Sequence, residues 1–86
     1  MRAIGFDALG IAERRVTVFI DAARAYTQWG KYDRAVSALD AASEVAVQEL
    51  RVRPPVRELV GHLRSSAPRS VQTDLGTLVD RVGLAA

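Results

Sequence analysis

Few residues in this chain are of types that carry out chemistry. His62 is the only histidine, and Glu58 stands four residues before it, a spacing that brings both side chains to one face of a helix. No nucleophile, second metal ligand or glycine-rich phosphate loop stands near this pair. Because an active site needs several groups within mutual reach, we predict a surface histidine, no catalytic residue and no enzymatic activity.

The sequence also contains few residues that could bind a metal or a cofactor. The chain has no cysteine, which excludes disulfides and cysteine-ligated zinc. Asp33, Asp40 and Glu44 follow one polar side of a helical segment, as carboxylates commonly do on soluble helices. We therefore predict no bound metal and no cofactor.

The region around Pro54 and Pro55 is basic, which makes a phosphate-binding patch conceivable. The net charge of the chain is only +2, aromatic residues are not interleaved, and helical spacing distributes the arginines over several faces. We favour a solvated surface with local salt bridges and predict no direct binding of nucleic acid. The arginines are Arg51, Arg53, Arg57, Arg64 and Arg69.

The elements that position these side chains are helical. The spacing of apolar residues predicts a helix from residue 11 to near Gly30, a second from about Tyr32 to Val47, a third opening at Pro54-Pro55 and a fourth ending near Gly83. A connection of two or three residues makes the first two antiparallel neighbours. We predict an all-α fold, an antiparallel helical hairpin followed by two further short helices, with no strand.

The apolar face of the first helix is wide. Its members are Ala12, Val16, Phe19, Ala23 and Tyr26, with Val18, Ala22, Ala25 and Trp29 beside them. Residues 1–10 are interrupted by Gly5 and Gly10, and they can form a turn of helix, an irregular segment or a frayed terminus. We divide the chain into this N-terminal segment, 1–10, and a single α-helical domain, 11–86.

Residues 16–49 resemble a tetratricopeptide (TPR) hairpin. Phe19, Ala22, Ala23 and Tyr26 stand at the spacing of the first TPR group, and Ala35, Leu39 and Ala42 follow in the second helix. The departures are Ala22 for leucine, Ala23 for glycine and Val47 for proline. The last of these leaves the second helix without its usual stop.

Most of the chain, from RRVTVFIDAARAY through ELVGHL to LGTLVDRVGL, is also similar to the C-terminal region of actinobacterial Xre-type transcriptional regulators. Those proteins place a helix-turn-helix domain before a TPR-like region, and nothing before residue 11 could hold one here. The resemblance implies a detached sensory, docking or dimerisation module. The alternative is a fragment or partner of a helix-turn-helix DNA-binding regulator.

In TPR-like proteins the first helix of a hairpin lines the concave surface that binds peptides. The alignment places a polar stripe on that surface, beside Ile20 and Thr27; its residues are Thr17, Asp21, Arg24 and Gln28. A solvated helix face with an Asp21–Arg24 pair is the simpler interpretation. Trp29 can be an aromatic anchor for a partner, although a tryptophan at a helix end more often covers its own core. The candidate partner-binding residues are Thr17, Asp21, Arg24, Gln28 and Trp29.

Self-association is a further expectation, because one TPR-like hairpin does not bury its own apolar faces. The two C-terminal helices can cover one side. The other side is left to residues 1–10, to a second copy or to further sequence. We expect a protein or peptide partner and a homo-oligomer. No apolar run reaches the ~18 residues that span a bilayer, and no signal peptide is evident, so a cytoplasmic location without membrane contact is the default.

Overall fold

The computed structural model describes the backbone of residues 2–84 and the side chains of residues 11–84. These residues form helices and no strand, which confirms the all-α prediction. The TPR-type arrangement of the hairpin stays a prediction. The helices are α1 (Arg2–Gln28), α2 (Tyr32–Val45), α3 (Val47–Val52), α4 (Pro54–Ser66) and α5 (Arg69–Val82).

The turn between α1 and α2 depends on Gly30. Its φ of 77° lies in the left-handed region, as predicted for a glycine that ends a helix. The Gly30 amide donates to the Thr27 carbonyl, and the Lys31 amide donates to the Tyr26 carbonyl at 2.8 Å. These two bonds satisfy the last carbonyls of α1 and reverse the chain, so that α2 returns along α1.

The second helix ends earlier than predicted. We expected one helix from about Tyr32 to Val47, but α2 ends at Val45 and Ala46 adopts an extended conformation, with φ −160° and ψ 95°. Two β-branched valines flank Ala46, and β-branching weakens helix propensity. The break redirects α3, which brings Leu50 into the core with 1% exposure. The chain therefore has five helices in its described part, where four were predicted.

The C-terminal helices begin and end largely as predicted. Pro54 and Pro55 open α4, where a missing amide hydrogen costs nothing. The Gln72 side chain donates to the carbonyls of Leu63, Arg64 and Ala67, and so caps the end of α4 from the next helix. Gly83, with a φ of 81°, ends α5.

One core holds the five helices together. α4 packs against α1 and α5 packs against α2, so the C-terminal pair covers one side of the hairpin, as expected. Small side chains at Ala23, Ala35 and Ala42 are fully buried, and Leu39 fills the space beside them. Every buried polar side-chain atom of the described residues has a hydrogen-bond partner.

The first helix is much longer than its partner. α1 has 27 residues and α2 has 14, which correspond to ~40 Å and ~21 Å of helix. α2 can therefore flank only the last half of α1. The backbone of residues 2–10 is helical and continuous with α1, so the first helix begins earlier than the predicted residue 11 and this segment is more than the single turn of helix that we considered. Its side chains lie outside the described residues.

Candidate functional site

An apolar surface is exposed along one side of α1. Ile11 is 52% exposed, Val18 63% and Trp29 73%, and they are three of the four large apolar side chains that the described residues expose. Ala25 is also exposed and Ala22 is half-buried. We call this surface the outer stripe; its residues are Ile11, Val18, Ala22, Ala25 and Trp29.

The buried side of the same helix forms a second stripe. Val16, Ile20, Ala23 and Thr27 are all less than 9% exposed, and we call them the inner stripe. Half-buried Phe19 and Tyr26 lie between the two stripes and pack against the core. The wide apolar face predicted from the sequence is therefore split: one edge is core, and the other faces outward.

The alignment placed Ile20 and Thr27 on an open binding surface, but both are buried, and only Thr27 reaches the wall of an open groove, beside Arg24 and Gln28. Ile20 is 4% exposed and Thr27 is 7% exposed. The Thr27 hydroxyl donates to the Ala23 carbonyl at 2.7 Å, which satisfies it within its own helix. Helical geometry explains the result, because these two residues follow Val16 and Ala23 at spacings of four and stand on the same buried side.

Thr17, the first residue of the predicted polar stripe, is occupied within the chain. Its hydroxyl accepts a hydrogen bond from Nη1 of Arg53 at 2.9 Å and donates to the Glu13 carbonyl. Arg53 also forms an ion pair with Glu49 at 3.1 Å. Because Arg53 stands between α3 and α4, this network fastens their junction to α1.

Of the remaining residues of the polar stripe, Arg24 and Gln28 lie at a groove, and Asp21 lies outside it. Arg24 and Gln28 line an open groove of about 460 Å³ with Leu59 and His62 of α4 and with Tyr32. The centroids of the Tyr32 and His62 rings are 6.5 Å apart. Asp21 and Arg24 are exposed, and no ion pair joins them in the described part of the chain. The expected Asp21–Arg24 pair is therefore absent there, and the four residues do not form one site.

Trp29 does not cover the core of its own domain, which was the interpretation we favoured from the sequence. It stands directly before Gly30, where α1 has ended and the chain turns. Its side chain is 73% exposed, so the indole is not part of the core. It belongs with Ile11 and Val18, and not with the polar residues that precede it.

Part of the basic region also serves the fold. Nε of Arg51 donates to the Val82 carbonyl at 2.9 Å and so caps the end of α5, and Arg53 is held by Glu49 and Thr17. Arg81 forms an ion pair with Asp40 between α5 and α2. Among residues 11–84, no three histidine or acidic side chains converge on a position that could hold a metal ion.

Ile11 and Val18 were missed as candidate site residues. Val18 was placed beside the apolar face of the first helix, because apolar side chains on a helix usually face the interior, and Ile11 was assigned no role. The available signal was their spacing, since the outer stripe follows its own series of steps along α1. That series needs no knowledge of the structure, but only the structure tells which of two apolar series the hairpin buries.

Comparisons with known proteins leave this chain without an assigned family: no family model matches it, and neither a curated protein nor a solved structure is significantly similar. Between residues 2 and 84, no helix combines the length and the apolar character that crossing a membrane requires.

Proposed function

We propose that this chain is a non-enzymatic protein-interaction module that works by burying the outer stripe of α1 against another polypeptide. The observation that carries the proposal is that Ile11 and Val18 of α1 and Trp29, the residue directly after α1, are all more than half exposed, at positions that helical spacing places on one side. Single exposed apolar residues are ordinary, whereas an aligned set of large ones marks an interaction surface.

The groups that could support a different activity are engaged elsewhere. His62 lies against the Tyr32 ring at the edge of an open groove, and the Arg53 guanidinium is bonded to Glu49 and Thr17. Thr17 and Arg51 likewise contact partners within the chain. Thr17, Arg51 and Arg53 thus contribute to capping and fastening helices.

The proposal is tested by photo-crosslinking from position 29. The variant Trp29→benzoylphenylalanine, expressed in the native host, is expected to crosslink to a polypeptide on irradiation. The same photoreactive residue at Asp74, which is exposed on α5, serves as the matched control and is expected to give no product. Absence of a crosslink from position 29, or equal crosslinking from both positions, would refute the proposal.

A transcriptional regulator is the proposed setting for this module. This rests on the similarity of the chain to the C-terminal region of Xre-type regulators, with the DNA contacts supplied by a partner protein. Arg51 and Arg53 make contacts inside the fold, which leaves less of the basic region available for phosphate. In a mobility-shift assay at moderate salt, the purified chain should not shift DNA alone, and a sequence-specific shift would contradict this arrangement.

A further inference from the structure

We propose that the occupant of the outer stripe is a second copy of this chain, and that the two α1 helices pack antiparallel along their outer stripes. This inference rests on the proposed function and names its partner. It is carried by the spacing of the stripe, by the charges that flank it and by the length of α1.

The outer stripe has the spacing of a coiled-coil seam. Positions 11, 15, 18, 22, 25 and 29 follow one another by alternating steps of four and three residues. This is the heptad pattern by which helices pair along a continuous seam. Arg15 is the single polar member of the series. In the sequence the same steps reach back to Ile4 and Ala8, whose side chains lie outside the described residues.

A second copy supplies a matching surface without further assumptions. A two-fold interface uses the same patch on both subunits, so the patch must complement itself. The inner stripe already holds α2 and α4 in place. A second seam on the opposite side of α1 is therefore not required by the fold of one chain, whereas pairing with another α1 would use its whole length.

The charges beside the seam decide the direction of the two helices. Arg14 and Asp21 flank the seam on one side, and Phe19 and Tyr26 flank it on the other. A parallel pair places each charged flank against an apolar flank, and it sets Arg15 against the partner's Arg15. Both contacts are unfavourable, because like charges repel and an isolated charge against apolar surface loses hydration.

An antiparallel pair removes the contact between the two Arg15 side chains and the mismatch of the flanks, and Arg15 can lay its aliphatic stem beside the partner's Val18 while its guanidinium stays in water. With Arg15 level with the partner's Val18, the charged flanks meet, and Arg14 lies beside the partner's Asp21. The two-fold axis repeats that ion pair on the same flank, between Asp21 and the partner's Arg14. The same register sets Ile11 level with the partner's Ala22, so a large side chain faces a small one. The helices then approach closely without a cavity.

Engineered disulfides test this geometry, because the chain has no native cysteine. The double variant Ile11→Cys/Ala22→Cys, equilibrated in a glutathione redox buffer, is expected to form a covalent dimer that gel electrophoresis resolves. Residues 11 and 22 of one helix are ~16 Å apart along its axis, whereas a disulfide needs Cα atoms within ~7 Å. The bond can therefore form only between chains.

The single variants determine the direction. Ile11→Cys alone and Ala22→Cys alone should stay monomeric on the gel, because in the antiparallel register each residue is far from its own counterpart. Ser37→Cys, on the exposed side of α2, reports crosslinking by random collision. Circular dichroism of each variant confirms that it is folded, which is expected because both outer-stripe positions tolerate a small side chain.

Each outcome has a distinct meaning. Crosslinking of the double variant alone supports the antiparallel dimer. Crosslinking of either single variant above the Ser37→Cys level shows another arrangement and overturns it. If no variant crosslinks, the homodimer is refuted. In that last case a photo-crosslink from position 29 to a different polypeptide would leave the proposed function standing, and its absence would remove both proposals.

Discussion

The inner and outer stripes of α1 are built from the same kinds of residue and have opposite surroundings. Val16 is fully buried, whereas Val18, two residues further along, is 63% exposed. Both stand in apolar series with helical steps, so the period of the sequence does not distinguish them. The difference arises from the rest of the chain. The Gly30 turn directs α2 onto the inner stripe, and α4 packs on the same side, so only that stripe is covered.

The comparison separates two contributions of one helix. The inner stripe contributes to the stability of a single chain, because its contacts form on folding. In the proposed dimer, the outer stripe contributes only when the second chain covers it. Substitutions in the two stripes should therefore differ in whether their effect depends on protein concentration.

The largest effect is expected at a fully buried leucine of the core to which the inner stripe belongs. Leu39 is completely buried in α2, so Leu39→Ala should lower the free energy of unfolding by about 2 to 5 kcal/mol. Total stabilities of small domains are only about 5 to 15 kcal/mol, and the variant is expected to be partly unfolded. Urea unfolding followed by circular dichroism measures the loss. A cost below about 1 kcal/mol would contradict the assigned core.

A matched pair of substitutions compares the stripes directly. Val16→Ala should cost about 2 kcal/mol, through lost burial and the cavity left behind. Val18→Ala should change the stability of the isolated chain by less than about 0.5 kcal/mol. Both are read from urea unfolding at the lowest practical protein concentration. Equal costs there would show that the two stripes are not distinct.

The turn that directs α2 onto the inner stripe gives a smaller effect. At Gly30 no atom outside its own neighbourhood lies within 4 Å of an added Cβ, so Gly30→Ala is opposed only by the left-handed backbone. We expect a loss of about 1 to 2 kcal/mol. Gly61, also without nearby atoms but inside α4, is the control.

Gly61→Ala should instead stabilise the chain by up to about 1 kcal/mol, because alanine is the better helix former. Opposite shifts of the thermal midpoint in the two variants are the expected result. A shift of the same sign in both would contradict the left-handed turn.

The smallest effect concerns the charges beside the outer stripe. Asp21→Arg sets two arginines against each other at both ends of the two-fold pair, and each exposed ion pair contributes at most about 1 kcal/mol. We expect the dissociation constant of the dimer to rise several-fold. The exchange Arg14→Asp/Asp21→Arg should restore the affinity of the dimer. Sedimentation at low salt measures both dissociation constants. Failure of the exchange to restore affinity would reject this register.

Much of the fold could be predicted from the sequence. Apolar steps in the last helix mark Val71, Leu75, Leu78 and Val82, all of which are buried, and Gly30 and Gly83 end their helices in the left-handed conformation. These features are local, because they depend on residues three or four positions apart. The break at Ala46 was not predicted. It allows α3 to bury Leu50 against helices that are distant in the sequence, and the local pattern contains no information about them.

The candidate site was predicted less well, for a related physical reason. Trp29 was among the candidates, and it is exposed. Thr17 was also chosen, but Arg53, 36 residues away in the chain, binds its hydroxyl. Whether a polar or apolar side chain is free depends on such long-range partners. The sequence contained both stripes of α1 and no indication of which one the hairpin covers.

Sedimentation equilibrium of the wild-type chain beside Val18→Lys tests the central claim most directly. Val18 is exposed in the single chain, so lysine should leave its fold intact, while in the dimer the lysine would meet the partner's Arg15. We predict a concentration-dependent dimer for the wild type and a folded monomer for Val18→Lys. A folded wild-type monomer at the highest concentration, or an equally strong dimer in the variant, would contradict it.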